Sequence, residues 1–278
     1  MDYLPAPGSR LVVIGFEGWN DAAESASRFT KDLIAQMGLT RTGMIGGEEF
    51  YDFQTARPRL VRGEDGTSRI DWPGTEIHTG TVPGTDIPVE VIVGDEPAFL
   101  WQRFASLIVD RVEDGDVVVL LGALLADTVH SRPIPVTVTT DRPEAIPSTD
   151  ANRSEYEGPT GIIGVLAHEL SSSGHPVVSL WAAVPGYVAG IPSPKAQLAL
   201  QGAFEELTGL VLEQGDLVDG TREWEREAEA AVAADDDLAA YIHRLGSMTD
   251  AADLPEASGD AIAREFERYL HRRGDGRD

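Results

Sequence analysis

Four loops hold the side chains that could do chemistry. The first is Glu17-Gly18-Trp19-Asn20-Asp21, at the start of an expected helix. Its two carboxylates stand where a helix N-terminus would otherwise hold an anion. The spacing Gly15-x-x-Gly18 lacks the remaining glycines of a dinucleotide fingerprint, and no Gly-Lys-Ser/Thr of a phosphate loop follows. The second loop runs from Gly122 to Pro133 and brings Asp127, His130 and Arg132 within six residues. A carboxylate so close to an imidazole can orient it for proton transfer. Ser131 beside His130 makes no triad, because nucleophile and base must meet in space and not in sequence. The third loop, Ser154 to Gly161, carries Glu157 ahead of Gly158-Pro159. That carboxylate either receives helix N–H groups or faces a cleft. The fourth runs from Pro185-Gly186-Tyr187 to Lys195, one of only two lysines in the chain. A buried lysine can be reactive, and the plainer reading is a solvated lysine at a helix end.

Each candidate has a plainer reading beside the chemical one. Trp19, Asn20 and Asp21 also suit a helix cap with a packed indole, and Asp127 to Arg132 suit hydrogen bonds that fix a loop. Gly15, Gly18, Gly158 and Pro159 read as structural turn residues. Metal binding finds little support. No His-x-x-x-His or His-Glu-x-x-His occurs, and Asp235-Asp236-Asp237 lacks the alternation and glycine of a calcium loop. Without cysteine, disulfides, thiolate metal sites and cysteine nucleophiles are excluded. Neither a metal nor a cofactor is expected.

The elements that position these loops alternate. Leu11-Val12-Val13-Ile14 is a continuous apolar run, the mark of a buried strand. Ala22, Ala26, Phe29, Leu33 and Met37 follow at helical spacing, and Asp21 with Glu24 has the side chains of a capping box. Strands are expected at 42–45 and 89–93, and a hairpin at 59–72 turns on Asp65-Gly66. Asp95 and Pro97 look like the opening of a helix whose apolar side holds Phe99, Leu100, Phe104, Leu107, Ile108 and Val112. Val117 to Leu121 is the most apolar strand and is expected at the centre of the sheet. Further strands are expected at 135–140 and 177–184, and helices at 161–170 and from Ser193-Pro194 onward. The alternation implies a mainly parallel α/β sheet with flanking helices and the hairpin as an antiparallel addition. Residues 1–221 form this domain. Residues 222–278 form a helical appendage: a Glu- and Ala-rich helix to 246, a linker at 246–259, and a last helix marked by Ile262, Phe266, Tyr269 and Leu270.

The 278 residues are 42% hydrophobic, enough for a real core. Acidic residues number 47 against 22 basic, a formal charge of −25. Such a field repels phosphate, so neither nucleic acid nor an anionic membrane is an expected partner. With no signal peptide and no membrane-length apolar stretch in the sequence, a cytoplasmic protein is expected.

Gly-Phe-Glu-Gly-Trp-Asn-Asp-Ala at 15–22, Tyr-Glu-Gly-Pro-Thr-Gly at 156–161 and Pro-Ser-Pro-Lys-Ala at 192–196 resemble the proteasome assembly chaperone 2 family, above all its longer actinobacterial members. The loop around Asp127, His130, Arg132 and Pro133 fits as well, and the likeness covers roughly residues 10–215. The resemblance implies an α/β fold similar to purine nucleoside phosphorylases and peptidyl-tRNA hydrolases. It also implies a homo-oligomer, with a trimer favoured, and proteasome subunits as partners. Relatives that act on proteasomes typically end in a hydrophobic–Tyr–any-residue tail. This chain ends Gly274-Asp275-Gly276-Arg277-Asp278 and departs from that pattern. Many similar members carry a histidine where this chain has Gly186, which weakens a catalytic reading of that loop. The leading expectation is a non-enzymatic assembly chaperone or scaffold. The alternative is a phosphorylase- or hydrolase-like enzyme, or a small-molecule binder, using Glu17, Asp21, Asp127, His130, Arg132 and Glu157.

Overall fold

The computed structural model describes residues 8–63, 65–141, 154 and 156–253. In chain order its strands are β1 Leu11–Glu17, β2 Thr40–Gly46, β3 Arg59–Arg62, β4 Ser68–Asp71, β5 Gly74–Thr81, β6 Pro88–Asp95, β7 Val117–Ala126, β8 Val136–Thr139 and β9 Val177–Pro185. Its α-helices are α1 Ser25–Met37, α2 Trp101–Val109, α3 Ile162–Ser172, α4 Pro194–Thr208, α5 Leu217–Ala233 and α6 Asp236–Asp253.

Seven strands make one sheet in the order β2-β5-β6-β1-β7-β9-β8. The strands β6, β1, β7 and β9 run parallel to one another. Antiparallel strands finish both edges, β5 and β2 on one side and β8 on the other. Leu11 to Phe16 are fully buried, as an uninterrupted apolar strand demands when both faces are covered. On one face lie α1 and α4, with the Phe29 and Phe204 rings edge to face at 5.5 Å. On the other lie α2 and α3, where Phe104 meets Phe16 at 5.8 Å and Phe50 at 5.5 Å. Each such side chain contributes about 1.5–3 kcal/mol by leaving water.

The structure corrects several expectations. The middle place in the sheet belongs to β1, with β7 beside it. The hairpin of β3 and β4 forms a separate two-stranded sheet and adds nothing to the main one. Asp95 does not cap a helix. It ends β6, and α2 starts only at Trp101 after Leu100 in the left-handed region. Phe99, Leu100 and Leu107 accordingly stand in solvent instead of on the buried side. The expected Glu- and Ala-rich helix is two helices, and α6 continues through the expected linker as far as Asp253. Residue 222, the expected start of the appendage, falls inside α5. The helix expected around Ile262 to Leu270 lies outside the described residues.

Two glycines set how β1 meets its surroundings. A Cβ on Gly15 would lie 2.3 Å from the Thr30 Oγ1 of α1, so the helix can approach the strand only where residue 15 has no side chain. Gly18 sits at φ +109°, where a Cβ is strained. Gly15→Ala should cost about 1–3 kcal/mol by overpacking, and Gly18→Ala about 1 kcal/mol or more by strain. Thermal unfolding monitored by circular dichroism should show both variants melting lower than the parent. An unchanged melting curve for either would remove its claim.

Candidate functional site

The turn after β1 folds back on the sheet. The Asp21 N–H donates to the Gly18 carbonyl at 3.1 Å, and the Asn20 carbonyl accepts from the Ala123 N–H at 2.8 Å. Asp21 and Ala123 then form a parallel bridge, so the loop closes over the ends of β1 and β7. Asp21 is buried, and its Oδ1 accepts from the N–H groups of Ala26 at 2.7 Å and Ser27 at 3.2 Å. It therefore caps α1, but not through a box with Glu24. A 3₁₀ turn, Ala22–Glu24, intervenes with Ala23 and Glu24 at positive φ, and Glu24 pairs with Arg28. Burial pushes the Asp21 carboxyl above its ordinary range; hydrogen bonds to Ser27 and Ala26 oppose this and the Glu17 charge adds to it. Glu17 is half exposed and pairs with Lys31 at 2.5 Å.

Asn20 points the other way. Its Nδ2 donates to Glu96 Oε1 at 2.8 Å, and that oxygen also accepts from the Ile162 N–H at the start of α3, at 2.9 Å. Glu96 Oε2 accepts from the Trp19 N–H at 3.3 Å. One carboxylate thus ties together the loops after β1 and β6 and the start of α3. Sequence reasoning overlooked Glu96 because it gave the helix-opening role to Asp95. The usable signal was an acidic residue just past a buried parallel strand, followed by proline.

A second cluster forms where α5 crosses the loop after β7. His130 is buried. Its backbone N–H donates to the Tyr187 hydroxyl at 2.7 Å, and Nδ1 lies 2.8 Å from the same oxygen. The hydroxyl is then free to donate its proton to Nδ1, which leaves Nε2 to donate to Glu229 at 3.0 Å. Lys195 donates to the His130 carbonyl at 2.6 Å and to Glu225 at 2.5 Å. Asp127 accepts from the Tyr241 hydroxyl of α6 at 2.8 Å, and Arg132 donates to the Gly246 carbonyl at 3.4 Å. Burial raises the Tyr187 hydroxyl above its ordinary range. Tyr187, Glu225 and Glu229 were not among the expected site residues; a pair of glutamates four apart on one helix was their signal.

The expected residues therefore fall into separate places. Glu17 and Asp21, with Gly18, Lys31 and Arg59, line an open cleft of about 520 Å³ beside residues 189–192. Trp19 stands two-thirds exposed, and Asn20 lies with Glu96. Asp127, His130, Arg132 and Lys195 meet α5 and α6. Glu157 is exposed, near Gly158 and Pro159, whose carbonyl accepts from the Tyr156 hydroxyl at 2.8 Å. Among the described residues no group of three or more His, Cys, Asp or Glu side chains could hold a metal ion.

The PAC2 family model matches residues 15–232, from the close approach of Gly15 to the last turn of α5. The chain belongs to the PAC2 family. A PAC2 family protein from Streptomyces avermitilis is 36% identical over 84% of this chain and 99% of its own, with a TM-score of 0.75. A proteasome-assembly chaperone homologue from Mycobacterium tuberculosis is 37% identical over 84% and 99%, with a TM-score of 0.74. The fold alone extends to Pyrococcus furiosus PbaB, an archaeal proteasome activator, at 15% identity over 82% and 96%, TM-score 0.61. Among curated proteins none matches. The PAC2 match takes in the Glu96 cluster and α5 but stops short of α6, which carries Tyr241 and Gly246.

The buried Asp21 has a consequence for pH. Above its ordinary value of 3.8 and below its raised folded-state value, the folded chain binds more protons than the unfolded one. Its contribution to stability therefore falls as pH rises through that window. Asp21→Asn keeps an oxygen for the Ala26 and Ser27 N–H groups and removes the ionisation. The stability of this variant relative to the parent, from urea unfolding, should increase between about pH 4 and pH 7. A difference that stays constant or shrinks would contradict the assignment.

Proposed function

We propose that this PAC2 chain is a proteasome-assembly chaperone or scaffold that works by protein contact, not by a reaction of its own. The observation that carries the reading is the closure of the loop after β1. Open α/β sheets bind ligands outside the carboxyl ends of the strands, where neighbouring connections diverge. Here that place is the gap between β1 and β7, and the bonds of Asn20 and Asp21 to Ala123 fill it with the chain's own backbone. The acid–base candidates are engaged as well: Asp21 with α1, His130 and Lys195 with α5.

The name of the M. tuberculosis relative supports the same reading, since it is a proteasome-assembly chaperone homologue at 37% identity. We place the chain in the cytoplasm, associated with itself, a trimer being favoured, and with proteasome subunits as partners. Among the described residues no helix is long and apolar enough to cross a membrane. A second reading, a small-molecule binder, draws on the cleft between Glu17, Asp21, Lys31 and Arg59. It is the weaker one because Lys31 is already paired with Glu17.

Co-expression with the α- and β-type proteasome subunits of the same organism tests the proposal. The chain should co-purify with subunits or partly assembled rings and raise the yield of complete particles on native gels. No co-purification together with an unchanged yield would overturn it.

A further inference from the structure

The ribbon of β3 and β4 has two unlike faces. Its register pairs Arg59 with Asp71, Leu60 with Ile70, Val61 with Arg69 and Arg62 with Ser68. Residues directly opposite in such a pair share a face. Leu60 and Ile70 therefore stand together on one face, 67% and 47% exposed. Arg59, Val61, Arg69 and Asp71 take the other, and Arg59 lines the cleft beside Glu17. Trp72 follows Ile70 by two residues, and its ring rests against Phe53 at 4.9 Å, which roots the ribbon. Two such short strands are marginal in water on their own, and a further strand is what stabilises them.

The ladder also tells which backbone groups are spare. The Gly63 N–H donates to the Thr67 carbonyl at 2.9 Å, so the odd-numbered pairs are the hydrogen-bonded ones. The N–H and C=O groups of Leu60 and Arg62 then point out along the free edge of β3, and those of Ser68 and Ile70 along the free edge of β4. Among the described residues these groups have no hydrogen-bond partner. The two edges differ. Pro58, just ahead of β3, has no N–H to give and closes that edge. From Ser68 to Trp72 there is no proline, and the edge of β4 is open.

We propose that the free edge of β4 pairs antiparallel with β4 of a second copy, across a two-fold axis at Ile70. The order of residues along the edge selects this occupant. With Ile70 opposite the partner's Ile70, the outward N–H and C=O groups of the two exchange both bonds. Arg69 then faces the partner's Asp71, and Asp71 faces the partner's Arg69. One contact so brings two cross-strand ion pairs, and opposite charges in that position stabilise where like charges destabilise. The edge of β3 has no such match, since centring on Leu60 sets Pro58 against the partner's Arg62. Pairing through β4 also lines up Leu60, Ile70, the partner's Ile70 and the partner's Leu60 on one face of a four-stranded sheet. The ribbon does not share the acidity of the chain: residues 57–72 hold four arginines against three carboxylates. Repulsion between the rest of the two chains is screened beyond about 8 Å at physiological ionic strength. Edge pairing over so few residues buries less than a standard interface, so the association belongs to the weak class. The inference rests on the self-association proposed above and gives it a two-fold contact, which makes a dimer of chains or a pair of trimers.

The test is light scattering coupled to size exclusion, over a range of concentrations, on the full chain, on Arg69→Asp, on Asp71→Arg and on an equimolar mixture of the two variants. The parent should reach an even multiple of 29.9 kDa as concentration rises. Each variant alone sets like charges opposite each other twice and should make the two-fold contact at least tenfold more weakly. For Asp71→Arg that is the reverse of what a smaller net charge would do. The mixture restores opposite charges at both positions and should associate as the parent does, a rescue that a folding defect would not show. Variants that associate like the parent overturn this edge while self-association stands. Two weakened variants whose mixture stays weak overturn the two-fold register. A parent seen only as a trimer overturns the two-fold contact, and a parent that is monomeric at every concentration overturns self-association with it. None of these results bears on proteasome co-purification, which judges the chaperone reading separately.

Discussion

The carboxylate of Glu96 is the contact on which the strand-end loops depend. It accepts the Trp19 N–H, the Asn20 side-chain amide and the Ile162 N–H. An ionised carboxylate makes stronger hydrogen bonds than a neutral acceptor, and three donors compensate it for leaving water. With the loop after β1 held on that side, its backbone can reach Ala123 on the other and seal the gap between β1 and β7. The same anchor sets the place of Trp19 and of the segment that leads into Leu100. Closure of the gap beside the end of β1 is thus the result of one interaction.

The opposite end of the sheet is finished by ion pairs. Glu90 on β6 is almost completely buried and takes both Arg10 and Arg111, while Arg10 also bonds Asp116 at 2.6 Å. Such a network fixes register between β6, β1 and β7 more than it adds stability, because each buried charge has lost its water. The attachment of α5 is different again. Its apolar contact is a small separate cluster of Trp224, Ala228, Val188 and Tyr187, supplemented by the bonds of Lys195 and His130 to Glu225 and Glu229. Among the described residues, three buried polar atoms there, Thr128 Oγ1, Thr221 Oγ1 and Trp224 Nε1, find no hydrogen-bond partner. The joint between α5 and the body is therefore less fully satisfied than the core.

Much of this fold is legible in the sequence. Leu11 to Ile14 and Val117 to Leu121 read as buried parallel strands because both faces of each are covered, and nothing but apolar residues suits that place. Ser193 ahead of Pro194 marks the start of α4, and the Ser193 hydroxyl does accept from the Ala196 N–H at 3.2 Å. The four motif-bearing loops were enough to reveal the family. Strand β5 escaped notice because Gly74-Thr75-Glu76-Ile77-His78-Thr79-Gly80 has one large apolar residue; its place comes from pairing with β2 and β6, not from its own pattern. Leu100 looked like a core residue because helical spacing is blind to where a helix begins. The site was less legible still. Asp127, His130 and Lys195 are near in sequence to loops, but the partners that occupy them sit on α5 and α6, about a hundred residues away for His130 and Glu229. No spacing rule connects such pairs.

Amide hydrogen exchange on Glu96→Ala tests the central claim most directly. The account predicts faster exchange together at residues 18–21, at Ala123 and at the start of α3, at least tenfold, with β9 unchanged. Exchange that stays at the parent's rate in those segments, or that rises evenly over the whole chain, would contradict the view that this one carboxylate holds the loops closed.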